Sequence, residues 1–219
     1  MSVLDSVNLS PLQRNTLEQA TARYETEVEN LASYLGERGI DRGAAISRRL
    51  GYVSSPMPGH ERFVGYVALP YLTAGGGVVA IKFRCARSHD CKAVGCQRYD
   101  APAGQGARLY GADTLANGGE TAAVVEGEFK AIIVQRMLGI PAVGTSAGVW
   151  MDHWPRTLAD FQKVLVIADN DDPGLKHAKD KVLKSLPQGQ LVVPPAEFPK
   201  IDDWIVSQGA DAVREAIGL

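Results

Sequence analysis

The sequence predicts an α/β protein in two parts: an α+β N-terminal part over about residues 1–115, and an α/β part with a mainly parallel sheet over 116–219. Three observations carry this. A helical apolar rhythm occupies the first fifty residues, two β-like runs then flank a Pro- and Gly-rich break, and from Ala122 short apolar runs alternate with amphipathic helical stretches. Alternation of that last kind is the pattern of parallel strands covered by helices on both faces.

Ser10-Pro11 reads as an N-cap and first helical residue, and Gln13 completes a capping box. Apolar residues then recur at Leu12, Leu17, Ala20, Tyr24, Val28, Leu31 and Leu35, close to a 3.6 period, so one helix is expected up to Gly36. A second helix should run from Asp41 to Leu50 and stop at Gly51. Phe63–Leu69 and Val78–Arg84 are rich in Val, Ile and aromatics and read as an antiparallel pair, with Pro70 and Gly75-Gly76-Gly77 in a longer, flexible connection. Cys85 to Leu109 reads as a loop-rich connector. Further on, strands are expected at Ala122–Val125, Pro141–Val143, Lys163–Ala168 and Gln190–Val193. Helices are expected at Glu128–Leu138, along Leu175–Leu186 and from Asp202 to Ile217.

With 45% hydrophobic and 22% charged residues, 219 residues suit one or two soluble globular domains. No apolar run approaches the roughly 18 residues of a membrane span, and Met1–Ser10 lacks the basic-then-apolar order of a secretion signal. The three cysteines crowd between Cys85 and Cys96, which suits a reducing cytoplasm better than a disulfide framework. The net charge of −2 hides an asymmetry: Gly36–Tyr110 holds eleven Lys/Arg against five Asp/Glu, and the remainder twelve against twenty. A basic half that meets a polyanion and an acidic half that holds cations would be built this way, although charges scattered over solvated faces give the same counts.

The acids at the expected strand ends carry the chemistry. In parallel sheets functional groups gather beyond the C-terminal ends of strands; here these are Glu126-Gly127, Gly144-Thr145-Ser146 and Asp169-Asn170-Asp171. Residues i and i+2 of an extended segment point the same way, so Asp169 and Asp171 can present paired carboxylates, with Glu126 a third if the strands are neighbours. Two such charges about 4 Å apart repel by roughly 4 kcal/mol at an effective dielectric near 20, and Mg²⁺ is the usual counter-charge for open carboxylates. The alternative is a plain turn and helix start at Asp171-Asp172-Pro173-Gly174, and Asp172 is expected as the N-cap in either case.

Val124-Val125-Glu126-Gly127-Glu128 followed by Ile167-Ala168-Asp169-Asn170-Asp171-Asp172-Pro173-Gly174 resembles the paired signature of the TOPRIM fold, shared by DnaG-type primases, topoisomerases and several nucleases. The Asp-x-Asp-x-x-Gly form, the Gly144-Thr145-Ser146 segment and Ile201-Asp202-Asp203-Trp204-Ile205 are most similar to the primases. Upstream, Leu31–Ile40, Leu50-Gly51-Tyr52, Val79–Arg84, Arg98-Tyr99 and Leu109-Tyr110-Gly111 resemble the basic half of the primase catalytic core, which topoisomerases and TOPRIM nucleases lack. The resemblance implies a basic primase-core subdomain (1–115) before a TOPRIM subdomain (116–219). It implies an enzyme that joins ribonucleotides on a single-stranded DNA template, a DNA-directed RNA polymerase using nucleoside triphosphates. In that reading Asp169 and Asp171 hold Mg²⁺ (or Mn²⁺), and Glu126 completes the metal site or assists proton transfer. Lys82, Arg84, Arg98 and Lys130 contact the triphosphate or the nucleic-acid backbone.

The family often has Asp where this chain has Lys130; phage- and plasmid-type primases commonly share the departure. Neither the zinc ribbon nor the helicase part of longer primases is found, and no Gly-x-x-x-x-Gly-Lys-Ser/Thr loop occurs, so a separate replicative helicase is the expected partner. Cys85-x₃-His89-x-Cys91-x₄-Cys96 offers four ligands for Zn²⁺, but without paired Cys-x₂-Cys knuckles three reduced thiols and a solvated histidine fit it too. His60, His153 and His177 read as surface or structural. Two rival functions stay open: a metal-dependent TOPRIM nuclease, and a non-catalytic single-stranded nucleic-acid-binding subunit of a replication complex.

Overall fold

The computed structural model describes residues 9–146 and 148–219; Met1–Asn8, within the stretch read for a secretion signal, and Ala147 lie outside the described residues. The chain divides between Gly106 and Ala107 into two units, each with its own sheet. The division falls ahead of the expected 115/116 boundary because Tyr110 already belongs to the second sheet, exchanging two backbone hydrogen bonds of 2.9 Å with Gly144. No helix among the described residues is long and apolar enough to cross a membrane.

In the first unit α1 (Pro11–Glu25) starts as expected, with Ser10 capping Gln13 and Gln13 returning the bond. It ends ten residues early. Thr26 donates its hydroxyl to the Arg23 carbonyl at 2.7 Å and so supplies a terminal partner the next turn would otherwise give. A 3₁₀ turn (Val28–Leu31) and short α2 (Ala32–Gly36) follow, and Leu31 and Leu35 stay buried, so the apolar rhythm runs through the break. Leu12, at the solvent end, is 74% exposed. Asp41 caps α3 (Arg42–Ser47) at the Ala44 amide. Gly51 does not stop that helix. It opens strand β1 (Gly51–Tyr52), where a Cβ would stand 2.3 Å from the Tyr24 carbonyl carbon. The helix closes instead on Arg49, whose φ of 54° is held by two glutamates of α1: its guanidinium donates to Glu18 at 2.9 Å and to Glu25 at 3.0 Å.

Strands β2 (Tyr66–Leu72) and β3 (Val78–Cys85) are antiparallel, with Val67 opposite Arg84 and Leu69 opposite Lys82. The first is displaced towards Leu72 because Glu61–Phe63 forms a 3₁₀ turn and Gly65 takes φ 85°. Pro70 lies inside β2 rather than in the connection. The Tyr66 carbonyl accepts from Val53, on the β1 side, so by alternation Pro70 also turns its nitrogen to that side. There β1 has already ended, its pairing reaching only Ala68, and no donor is needed. The connection itself is a closed turn: Gly76 and Gly77 both donate to Thr73. The supposed connector after Cys85 holds α4 (Cys91–Val94) and β4 (Tyr99–Asp100), which completes the sheet order β1-β2-β3-β4. Its inner face packs Phe63, Ile81, Phe83 and Cys85 against Ala20 and Tyr24. His60, hydrogen-bonded to Tyr24 and edge-on to Phe83, is structural there.

The second unit is built around an all-parallel sheet: β5 (Thr121–Glu126), β6 (Ala142–Thr145), β7 (Lys163–Ile167) and β8 (Gly189–Val192) in the order β6-β5-β7-β8. Helix α5 starts at Glu128–Ile133 and continues through a wider turn to Leu138; α6 starts at Asp172–His177 and continues likewise to Val182. The expected last helix is two, α7 (Ile201–Gln208) and α8 (Ala210–Ala216), parted by Gly209 at φ 84°, ψ 157°. Trp154, Leu158, Phe161, Ala178 and Val182 cover one face of the sheet with Val124, Val164 and Val166.

Candidate active site at the mouth of the parallel sheet

After β5 the chain moves to one side of that strand to form β6, then crosses to the other side for β7. The order therefore reverses between β5 and β7, where open parallel sheets leave a crevice at the carboxyl ends. Glu126 ends β5, beside Thr145 of β6, and Asp169 stands two residues past the end of β7. Close packing makes the meeting possible. A Cβ at Gly144 would lie 2.5 Å from the Gly127 carbonyl oxygen, so the strand beside the Glu126-Gly127 turn needs glycine there. Gly144 and Thr145 are thus the last residues of β6 and do not lie beyond its end.

Asp169 is the most enclosed of the three acids Glu126, Asp169 and Asp171. Lys130, one turn into α5, donates to both its carboxylate oxygens, one contact measuring 2.5 Å, and both side chains are only 12% exposed. Lys130, expected at a nucleic-acid surface, is therefore engaged inside the acid cluster. Asp171 caps α6: its Oδ1 accepts from the Gly174 amide at 2.7 Å. The cap expected at Asp172 falls one residue earlier, because Asp171 has the extended backbone (φ −136°, ψ 160°) a cap requires while Asp172 is already helical. Gly174 permits the approach, since a Cβ there would lie 3.0 Å from the Asp169 carbonyl oxygen.

Glu126 binds its proton more tightly than an ordinary glutamate. Burial is the first cause and the charges of Asp169 and Asp171 add to it, with Lys130 and Lys200 opposing. The charges of Asp169 and Asp171 thus reach Glu126, and those of Lys130 and Lys200 oppose them there. Lys200 and Asn170 were missed in the sequence. Asn170, the middle residue of Asp-x-Asp, donates its backbone N–H to the Pro199 carbonyl at 2.8 Å and its side-chain amide to Pro194 at 3.3 Å. These bonds tie the acid loop to the segment carrying Lys200. A lysine beside the expected Ile201-Asp202-Asp203 motif was the only signal. His177, read from the sequence as surface or structural, is half-buried here. It lines a crevice of about 20 Å³ with Glu126, Thr145 and Asp169. Its ring nitrogens have no hydrogen-bond partner among the described residues, and burial lowers its proton affinity.

The cationic candidates of the first unit differ among themselves. Arg84 donates to the hydroxyls of Tyr34 (2.9 Å) and Tyr99 and stacks on the Tyr99 ring, so its guanidinium is largely taken up within the sheet. Lys82 lies on the same face, 5.3 Å from the centre of the Tyr71 ring. Arg98 is exposed. On the buried side of β3, Cys85, His89, Cys91 and Cys96 converge with their ligand atoms within 4.8 Å of one another. Among the described residues this is the one group of three or more His, Cys, Asp or Glu close enough to share an ion; Glu126, Asp169 and Asp171 are spread wider. The hydrogen bond between Cys91 and Cys96 draws Cys96 down to about 7 and pushes Cys91 up to about 11.

No protein-family model matches the chain. The Gene 57 protein of Mycobacterium phage D29 is 33% identical over 158 residues, which cover 70% of this chain and 98% of that protein. Among solved structures, the zinc-binding and RNA polymerase domains of the Aquifex aeolicus primase superpose with a TM-score of 0.75 at 20% identity, over 96% of this chain. The chain spans 62% of that structure's length. A DnaG primase catalytic domain bound to single-stranded DNA gives 0.73 at 15% identity, over 94% of this chain and 77% of that one. The chain belongs to the family of the phage D29 Gene 57 protein, and its fold is that of the DnaG primase catalytic core.

Proposed function

We propose that this chain is the catalytic core of a DNA primase, joining ribonucleotides on a single-stranded DNA template. The observation that carries the reading is the acid cluster at the β5/β7 reversal: Glu126, Asp169 and Asp171, charged closely enough that two of them raise the proton affinity of the third. Hard carboxylate donors fit Mg²⁺ or Mn²⁺. Such an ion, when bound, would supply positive charge at the α-phosphate, where the 3′-hydroxyl oxygen forms its new bond as the bond to pyrophosphate breaks. Asp169 and Asp171 would hold the ion; Glu126, with its raised proton affinity, suits acceptance of the hydroxyl proton. Lys130 keeps Asp169 paired in the absence of other cations and offers an ammonium to a phosphate oxygen in their presence. The exposed Arg98, with Lys82, serves the nucleic-acid backbone, and Arg84 positions β4 through Tyr99. A separate replicative helicase belongs to the reading as a partner.

One observation favours a second reading. An ammonium group on both oxygens of Asp169 stands where a metal would bind, as expected of a non-catalytic, nucleic-acid-binding relative. Ribonucleotide incorporation on single-stranded DNA with Mg²⁺ or Mn²⁺ separates the two. The primase reading expects incorporation by the wild type and its loss in both Asp169→Asn and Asp171→Asn, assayed below the melting temperature of each variant because Asp169→Asn leaves Lys130 without its partner. Full activity in both variants, or DNA binding without incorporation in the wild type, refutes it.

A further inference from the structure

The cluster that the acid site leaves unused is the one at the end of β3. Cys85 is the last residue of that strand and faces the core. Asp90 caps α4 by accepting from the Lys92 amide at 3.0 Å, which places Cys91 at the helix start. Gly95, at φ 71°, reverses the chain, and the Cys96 amide donates to the Cys91 carbonyl at 2.9 Å. All three sulfurs consequently surround one atom, His89 Nε2: Cys96 at 3.0 Å, Cys85 at 3.5 Å and Cys91 at 3.8 Å, with Cys85 and Cys96 Sγ 4.0 Å apart.

These spacings have a direct reading. Zinc–sulfur bonds of about 2.3 Å and zinc–nitrogen bonds of about 2.0–2.1 Å place tetrahedral ligands about 3.8 Å apart for S–S and about 3.6 Å for S–N. The observed values scatter around those edges. A disulfide would pair two sulfurs and leave the third thiol and the imidazole without a purpose, whereas here four donors close on one centre. We propose that Cys85, His89, Cys91 and Cys96 form a Zn²⁺ site of the closed, structural kind, inside the antiparallel unit. Thiolates and imidazole select zinc over the hard cations suited to the acid cluster. Four protein ligands leave no open position for a reactant. On binding, zinc displaces the remaining thiol protons, and the imidazole binds through its Nε2 lone pair.

The site has a mechanical role. The Cys85 amide donates to the Arg98 carbonyl at 2.9 Å, and Arg84 pairs across to Tyr99, so the loop between the ligands sets where β4 lies against β3. Arg87, Lys92 and Arg98 are all exposed on or beside that loop. Zinc would hold these cations in place, and without it the loop has a four-residue helix and few buried side chains to order it.

The test uses the whole chain. Protein purified without chelator should contain about one zinc per chain, and after chelation should take up one Co²⁺ with the ligand-field and thiolate charge-transfer absorption of a tetrahedral site. Cys91→Ser and Cys96→Ser should each lower zinc affinity at least tenfold. Should either fail to fold, thiol titration of the wild type decides: three cysteines shielded from a thiol reagent with zinc added, three reactive after chelation. Metal-free wild type that takes up neither Zn²⁺ nor Co²⁺, or a single titratable thiol in the denatured, unreduced chain, overturns the proposal. Neither outcome bears on the acid cluster, which this site does not share.

Discussion

Replacing Lys130 by Met removes a buried cation and leaves its volume almost unchanged, which makes it the sharpest probe of the acid cluster. In the wild type the ammonium lies against both oxygens of Asp169, each side chain being 12% exposed. Losing one partner of so enclosed a pair costs about 3–5 kcal/mol, because the other charge stays buried without compensation. Glu126 sharpens the effect, since the charge of Asp169 already acts on it. For a protein of this size that cost corresponds to about 6–20 °C in the thermal transition of the second unit. The assay is thermal and urea unfolding at pH 7, followed through Trp150, Trp154 and Trp204, all in that unit. Lys130→Met/Asp169→Asn should recover most of the loss, as neither charge then remains. Added Mg²⁺ should stabilise Lys130→Met more than the wild type, by filling the charge deficit. If Lys130→Met unfolds within about 0.5 kcal/mol of the wild type, within the range of an ordinary surface change, the ion pair is a solvated contact and this account of the site is wrong.

Glu126→Gln should melt higher than the wild type at pH 7. A carboxyl whose folded proton affinity is raised destabilises the fold as pH climbs from its ordinary range through its raised value. The gain should therefore vanish at about pH 4, and a gain independent of pH would exclude this cause. Gly51→Ala should cost about 1–3 kcal/mol or more through a clash with the Tyr24 backbone, read as a lower denaturation midpoint with the m-value unchanged; wild-type stability refutes the packing. Binding to single-stranded DNA should weaken by about 0.7 log units per neutralised phosphate for each tenfold rise in salt. Lys82→Ala/Arg98→Ala should flatten that slope, and an unchanged slope would move the DNA surface elsewhere. Arg84→Lys should destabilise although it keeps the charge, because one ammonium cannot replace the planar fork reaching Tyr34 and Tyr99; a neutral effect in urea unfolding refutes it.

Much of this architecture was legible in the residues because it depends on local patterns. The Ser10–Gln13 capping box, the β2–β3 pair and the βα alternation after Ala122 all came out where periodicity and capping residues put them. So did the three acids, at or just past strand ends. What escaped depends on contacts between distant residues. Apolar spacing alone cannot show that Thr26 stops α1, because Leu31 and Leu35 continue the same stripe after the break. Pro70 looked like a strand breaker, and its place in β2 follows only from how short β1 is. The N-cap went to Asp172 in the sequence because Pro173 usually marks the first helical residue; Pro173 holds the second position instead, and Asp171 is the cap. Lys200 acts on Glu126 through the folding of a loop that no spacing rule encodes.

The order of strands in the second sheet also bears on when the site comes into being. Within the first unit β2 and β3 are joined by a turn of a few residues, so their pairing closes a short loop. Thr121 of β5, by contrast, pairs with Lys163 of β7, with α5, β6 and the 3₁₀ turn at Trp154 lying between them in the chain. Non-local parallel pairings of this kind are slow to form, since the entropy of a long loop is lost before any contact repays it. Glu126 and Asp169 stand at the ends of those two strands, so the carboxylates stay far apart in every species that lacks the β5–β7 ladder. Their mutual repulsion is then met late, after Lys130 on α5 has been carried to its place beside β5. Any metal that needs both strand ends would consequently bind only chains in which the β5–β7 ladder has already formed.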